Sequence, residues 1–159
     1  MASDVTLVTS FPSDRCHHGA MTVGSRTVLV VDDDASLRQA LESVLVGLGY
    51  RVLTAGSPDT AYALLGSEPV DAALLDVRLP TMSGLALYTA ISHGWPTLAG
   101  CIAFITADAD AEDVRPWLDH TRCTVFRKPF RPLEITEWLR TTLRARDRKV
   151  AGRLNRRRA

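Results

Sequence analysis

Leu74-Leu75-Asp76-Val77-Arg78-Leu79-Pro80 is the stretch on which the fold turns. It is an apolar run that carries one carboxylate to its end and then meets a proline. A strand buried on both faces can hold an acid only where it stops, because a buried charge without a partner is costly. Asp76 therefore marks two things at once: the end of a buried strand over Ala72 to Asp76, and an acid placed for chemistry.

Upstream, Thr27-Val28-Leu29-Val30-Val31 is a β-branched run that ends the same way, in Asp32-Asp33-Asp34. Asp34 can cap a following helix, in which Leu37, Ala40, Leu41, Val44, Leu45 and Leu48 recur at helical spacing until Gly49 closes it. Arg51 to Ala55 reads as a short second strand, and Pro58 suits the first turn of a helix burying Ala61, Leu64 and Leu65. Downstream of Pro80, Ser83 or Gly84 opens a helix with Leu85, Tyr88 and Ile91 on one face. Cys101 to Thr106 is the fourth strand and Thr124 to Arg127 the fifth. Lys128-Pro129-Phe130 follows, and then a last helix with Leu133, Ile135, Trp138, Leu139, Thr142 and Leu143. Pro116 removes a backbone donor within Glu112 to Asp119, so the fourth helix is expected to be short, late-starting or kinked.

Five strands alternating with five helices point to an α/β fold, a parallel sheet covered on both faces by right-handed crossovers. Ligands of such sheets sit beyond the carboxyl ends of the strands. Asp32, Asp33, Asp76, Thr106 and Lys128 all fall on that edge. Carboxylates brought together repel one another unless a cation lies between them, and acidic oxygens favour a hard divalent ion, Mg²⁺ first. Such an ion can hold a phosphoryl group against an attacking carboxylate, while an ammonium and a hydroxyl stabilise the charge on the transferred oxygens. An aspartyl phosphate is the product this set of residues permits.

Composition fits this reading. The 159 residues are 46% hydrophobic and 23% charged, as expected of one ordinary globular domain and unlike a disordered or membrane chain. The N-terminus lacks a basic stretch followed by an apolar one, and no apolar run approaches membrane-spanning length, so a cytoplasmic protein is expected. Residues 1–25 show neither helical nor strand periodicity and read as a flexible extension. Cys16, Cys101 and Cys123 are odd in number and lack metal-site spacing. Cys101 and Cys123 are expected side by side on neighbouring strands, as small apolar packing rather than a disulfide.

The net charge of +1 conceals a basic end: the last twenty residues hold Arg140, Arg144, Arg146, Arg148, Lys149, Arg153, Arg156, Arg157 and Arg158 against Asp147 alone. Ala151-Gly152 is expected to interrupt a helix there, so 146–159 reads as a basic tail beyond a domain over 26–145. Nucleic acid is the weaker reading of that tail, because no helix-turn-helix, finger or RNA-binding pattern accompanies it. A nucleic-acid-binding regulator acting through the Arg-rich tail stands as the alternative function.

Taken together, Val30-Val31-Asp32-Asp33-Asp34, Leu74 to Pro80 with Ser83-Gly84, Phe104-Ile105-Thr106-Ala107 and Lys128-Pro129-Phe130 resemble the receiver (CheY-like) domain of bacterial two-component response regulators. The resemblance implies a flavodoxin-like sheet of strand order 2-1-3-4-5. It implies that a single-domain receiver takes a phosphoryl group on Asp76, with Mg²⁺, from a sensor histidine kinase or a histidine phosphotransfer protein. By the same resemblance Asp33 and Asp76 are metal ligands, Asp32 acts through water, and Arg78 lends its backbone carbonyl. Thr106 and Lys128 sense the phosphoryl group, the Lys128–Pro129 bond is cis, and Arg78 and Asp108 line the entrance and tune the lifetime of the phosphoryl group. Signalling then passes by conformational change to a downstream protein not named by the sequence, with a homodimer through the fourth helix, fifth strand and fifth helix as a further mode of assembly. The chain departs from the family in carrying Val125 where an aromatic switch residue often stands. A turnover enzyme of the haloacid dehalogenase type, which resembles Asp-x-Asp at its nucleophile, is disfavoured by Asp76-Val77-Arg78. The domain is thus read as a phospho-accepting signalling domain and not an enzyme.

Overall fold

The computed structural model describes residues 26–156, and side chains as far as 152. The extension read at 1–25 and the last three residues lie outside these.

Five strands, β1 (Thr27–Val31), β2 (Arg51–Ala55), β3 (Ala72–Asp76), β4 (Ile102–Thr106) and β5 (Thr124–Arg127), form one parallel sheet in the order β2-β1-β3-β4-β5. The interior strands β1, β3 and β4 are buried along their whole length, which is why their sequences are continuous apolar runs and not alternating ones. The helices are α1 (Ala35–Gly47), α2 (Pro58–Ser67), α3 (Gly84–Gly94), α4 (Arg115–Thr121) and α5 (Pro132–Arg156). α1 and α5 pack together on one face. On the other, Tyr62 of α2 meets Trp95 at the end of α3, and α3 and α4 flank a shared groove.

Local chemistry sets the helix starts. Asp34 accepts the Ser36 and Leu37 amides, Ser57 accepts that of Thr60, and Ser83 accepts that of Ala86. Gly49, with φ of +88°, ends the α1 region in the left-handed conformation that suits glycine. Pro116 sits in the first turn of α4, where no intrahelical partner is lost, and so delays the helix without breaking it. The Lys128–Pro129 peptide is cis.

Two expectations are corrected. Ala151-Gly152 does not interrupt a helix: α5 runs through it, past position 145, to Arg156. A glycine costs a helix only about 1 kcal/mol relative to alanine, and the surrounding Arg, Lys, Leu and Ala are strong helix formers. Cys101 and Cys123 are not side by side. β4 begins one residue later than expected, Cys101 closes a short 3₁₀ turn, and the register sets Thr124 against Ala103, so Cys123 comes level with Ile102. Both thiols are free, and burial pushes that of Cys101 above its usual range.

Candidate functional site

Among the described residues, the buried polar or charged side chains are Thr27, Asp32, Asp76 and Thr106. Three of these four meet at the C-terminal edge of the sheet, which is the strongest sign that the edge was built for more than packing. The register brings them together: Val31 pairs with Leu75 and Asp76 with Ile105, so the residues that end or follow β1, β3 and β4 finish level.

Asp32 is fully buried and ringed by partners. Its amide donates to the Ala55 carbonyl (3.1 Å), its carboxylate accepts the Asp34 amide (2.9 Å) and the Lys128 ammonium (2.7 Å), and its carbonyl accepts the Arg38 guanidinium (2.6 Å). Asp33 is exposed beside it, and one carboxylate oxygen from each of Asp32, Asp33 and Asp76 falls within 4.8 Å of the others. Lys128 also reaches Asp76, at 3.6 Å. Its amide donates to the Thr106 carbonyl (2.9 Å), which fixes the residue after β5 against the end of β4. The Thr106 hydroxyl accepts the Asp108 amide at 3.0 Å.

These charges set one another. Burial, the Asp32 carboxylate and, less, Asp33 push the Asp76 carboxyl up from 3.8 to about 6, against the Lys128 ammonium and an Arg78 backbone N–H that pull it down. Burial alone would lower Lys128. The hydrogen bond and charge of Asp32 and the charge of Asp76 outweigh it, and the ammonium is held above its usual range. Three crowded carboxylates against one ammonium leave an excess of negative charge. An all-oxygen donor set with one exposed member, Asp33, fits a hard cation entering from solvent.

Two features escaped the sequence reading. A Cβ on Gly84 would lie 1.9 Å from the Asp76 carbonyl oxygen, so α3 docks directly on the backbone of the buried acid, held by the Gly84 amide on the Val77 carbonyl at 2.9 Å. The β4–α4 loop is strapped by two arginines. Arg78 donates from Nε to Asp108 (3.1 Å) and forks onto Asp113 (2.9 and 3.0 Å), while Arg127, the last residue of β5, forks onto Asp110. The Arg78–Asp113 bridge lies on the rim of a groove of about 530 Å³ between α3 and α4, walled by Val77, Leu85, Val114 and the half-exposed Trp117. Asp108 was expected at the entrance beside Arg78. Asp113 was not, though the crowding of acids at 108, 110, 112 and 113 signalled a loop needing cations. Val125 is half-buried, and its neighbour Phe126 is packed between Phe130 and Trp138.

The sequence pattern of the family described as the response regulator receiver domain matches residues 28–140. The chain belongs to that family. Like this receiver, the DNA-binding response regulator MtrA of Mycobacterium tuberculosis contains the matched region, 34% identical over 130 residues, covering 80% of this chain and 55% of MtrA. The phosphate regulon transcriptional regulatory protein PhoB of Pseudomonas aeruginosa is 30% identical over 119 residues, covering 75% and 52%. The receiver thus spans about half the length of these curated relatives. Its fold is similar to that of a CheY-like receiver domain protein from Methanospirillum hungatei, with TM-score 0.73 at 22% identity over 79% of this chain and 99% of that one. Chemotaxis protein CheY4 of Vibrio cholerae superposes with TM-score 0.66 at 26% identity, over 75% and 99%. The flavodoxin-like strand order 2-1-3-4-5 expected from the sequence is the one observed. No helix among the described residues is long and apolar enough to cross a membrane.

Proposed function

We propose that Asp76 is the phospho-acceptor of this receiver and that Asp33, Asp32, Asp76 and the Arg78 carbonyl hold Mg²⁺. The observation that carries the reading is the meeting of three carboxylates within 4.8 Å with the Lys128 ammonium on two of them. Mg²⁺, when bound, would neutralise the crowded acids and polarise the incoming phosphoryl oxygens. The chain's own residues do the rest. Asp76, with a pKa of about 6, is mostly ionised at neutral pH, so an oxygen lone pair is available to attack phosphorus. As the Asp76 oxygen–phosphorus bond forms, the phosphorus–nitrogen bond of a donor phosphohistidine breaks, and the imidazole keeps the electron pair and gains a proton. Lys128 supplies a fixed positive charge beside the new phosphoryl oxygens, and the Thr106 hydroxyl, at the end of β4, is placed to donate to them. Gly84 keeps α3 seated against the acceptor's backbone.

The donor in this reading is a sensor histidine kinase or a histidine phosphotransfer protein in the cytoplasm, and the output is a protein contact altered by a shift between two conformations. The phosphoryl group is accepted and lost, so the domain signals and does not turn over a substrate pool. DNA binding, named for MtrA, belongs to a protein of which the match spans about half. In this chain it would have to rest on residues of its own.

The test is labelling by acetyl phosphate. With Mg²⁺ the wild-type protein gains one phosphoryl group by intact mass, chelation prevents it, and Asp76→Asn is unlabelled while keeping its circular dichroism. Labelling of the Asn variant at an unchanged level would refute Asp76 as acceptor.

A further inference from the structure

Arg38 is a cation beside the acid cluster to which the phospho-acceptor reading gives no role. It lies in the first turn of α1, where its amide donates to the Asp34 carbonyl (3.1 Å). Asp34 caps the same turn, so the arginine stems from a rigid element. Asp32, Asp33 and Asp34 stand four to six residues before it, yet among the described residues its side chain forms no ion pair. The guanidinium instead donates from Nη1 to the Asp32 carbonyl at 2.6 Å, the short contact of a charge-assisted hydrogen bond. Gly56, just past β2, makes room for it: a Cβ there would lie 3.2–3.5 Å from Nη1, Cζ and Nη2.

The carbonyl that Arg38 holds belongs to the peptide joining Asp32 to Asp33. The next peptide, between Asp33 and Asp34, is held from the other side, because the Asp34 amide donates to the Asp32 carboxylate at 2.9 Å. Asp33 thus sits between two tethered peptide planes. The backbone has only two soft dihedrals per residue, so tethering both planes fixes the direction of the Asp33 Cα–Cβ bond.

Of the three acids, this one depends most on its backbone. Asp32 is fully buried with the Lys128 ammonium on its carboxylate (2.7 Å), and the buried Asp76 has the same ammonium at 3.6 Å. Asp33 is exposed, and among the described residues its carboxylate has no hydrogen bond or ion pair to hold it. One of its oxygens still comes within 4.8 Å of those of Asp32 and Asp76. Its aim is therefore set from the main chain.

We propose, on the reading of these three acids as the Mg²⁺ site, that Arg38 is a positioning residue for the metal: through the Asp32 carbonyl it sets the peptide between Asp32 and Asp33 and so aims the exposed Asp33 carboxylate at the oxygens of Asp32 and Asp76. Orientation and charge act in opposite directions here, which makes the role separable. Arg38 and Mg²⁺ are both positive, so by charge alone loss of the arginine would tighten Mg²⁺ binding. Loss of the aim weakens it, because a carboxylate free to turn away must be ordered again each time the ion binds.

Proton–nitrogen NMR of the ¹⁵N-labelled full chain tests the role, with Mg²⁺ titrated into metal-free protein. Arg38→Met keeps an unbranched side chain of similar helix preference and cannot donate. Before any Mg²⁺ is added, the Asp33 amide, which lies on the peptide held by Arg38, is expected to shift while the amides of β3 and β4 stay in place. The Mg²⁺ dissociation constant is expected to rise at least about tenfold. In an Asp33→Asn background the same change is expected to raise it less than about twofold, since the residue being aimed is already impaired. Two results overturn the proposal alone. One is Mg²⁺ bound by Arg38→Met as tightly as by wild type, or more tightly, which would leave the arginine only its charge. The other is an equal loss in both backgrounds, which would trace the effect to the fold at large. Absence of Mg²⁺ binding by the wild-type protein would refute the metal site itself, and the proposal with it.

Discussion

Asp76 should make this protein more stable when it is protonated, and the effect can be sized. The side chain is buried, 5% exposed, and its carboxyl is pushed up from 3.8 to about 6 by burial and then by Asp32, in opposition to Lys128. A carboxyl with a higher pKa in the folded than in the unfolded chain binds its proton more tightly when folded. The folded state therefore carries a penalty that is complete well above pH 6, shrinks as pH falls from 6 towards the unfolded value of 3.8, and is gone below about pH 3, where both states are protonated. A gap of about two pKa units corresponds to about 3 kcal/mol. Asp76→Asn removes the ionisation and keeps the shape. Urea unfolding of both proteins in metal-free buffer across pH 4 to 7.5 isolates the effect, because subtraction cancels groups common to both. The stability of the variant relative to wild type is expected to rise by about 2.5 kcal/mol over that interval, or roughly 1 M in midpoint at a slope near 2 kcal/mol/M. A difference that stays flat with pH would refute the account of Asp76 as a buried acid strained by Asp32.

Two further outcomes follow from contacts near the site. Gly84→Ala places a methyl 1.9 Å from the Asp76 carbonyl oxygen and 2.8 Å from its carbon, both main-chain atoms that cannot rotate away. It should cost about 2–4 kcal/mol in urea unfolding, at or above the usual range for overpacking, and slow acetyl phosphate labelling by more than about tenfold; a variant with wild-type stability and rate would show that α3 can retreat freely. Arg78→Gln removes the fork onto Asp113 and the bond to Asp108. Backbone amides of the β4–α4 loop and the first turn of α4 should then exchange with deuterium at least severalfold faster, and unchanged protection would mean that Arg127 on Asp110 suffices to hold the loop.

Most of this fold is written locally. The interior strands are legible because burial on both faces demands apolar runs, and the acids ending them are legible because such runs tolerate acids nowhere else. Asp34, Ser57 and Ser83 announce their helices by chemistry that acts over three residues. What the sequence conceals is distance through space. That Asp113 belongs to Arg78, Asp110 to Arg127 and Arg38 to the Asp32 carbonyl depends on how loops from different strands converge, which no spacing records. The path of α5 was misread for a related reason. Gly152 is a weak signal to stop, and Arg26, which pairs with Asp147 on the last turns of α5, lies more than a hundred residues away in the chain. The offset of Cys101 from Cys123 turned on a single residue at the start of β4, where Leu98 and Cys101 close a turn instead of extending the strand.

The level ends of β1, β3 and β4 carry a consequence for how this sequence can vary. Each of these strands is five residues long, and each delivers its site residue at or just past its last position. The strands thus act as rulers of equal length, calibrated against one another by ladder hydrogen bonds. One residue inserted into any of them would carry its site residue about 3.3 Å along the strand axis and turn it to the opposite face. The same insertion between Glu68 and Asp71, or between Trp95 and Leu98, would be absorbed at the far edge of the sheet before measurement begins. Length changes among descendants of this chain should therefore collect in the turns that precede the strands, and substitutions, not insertions, should be the only currency accepted inside them.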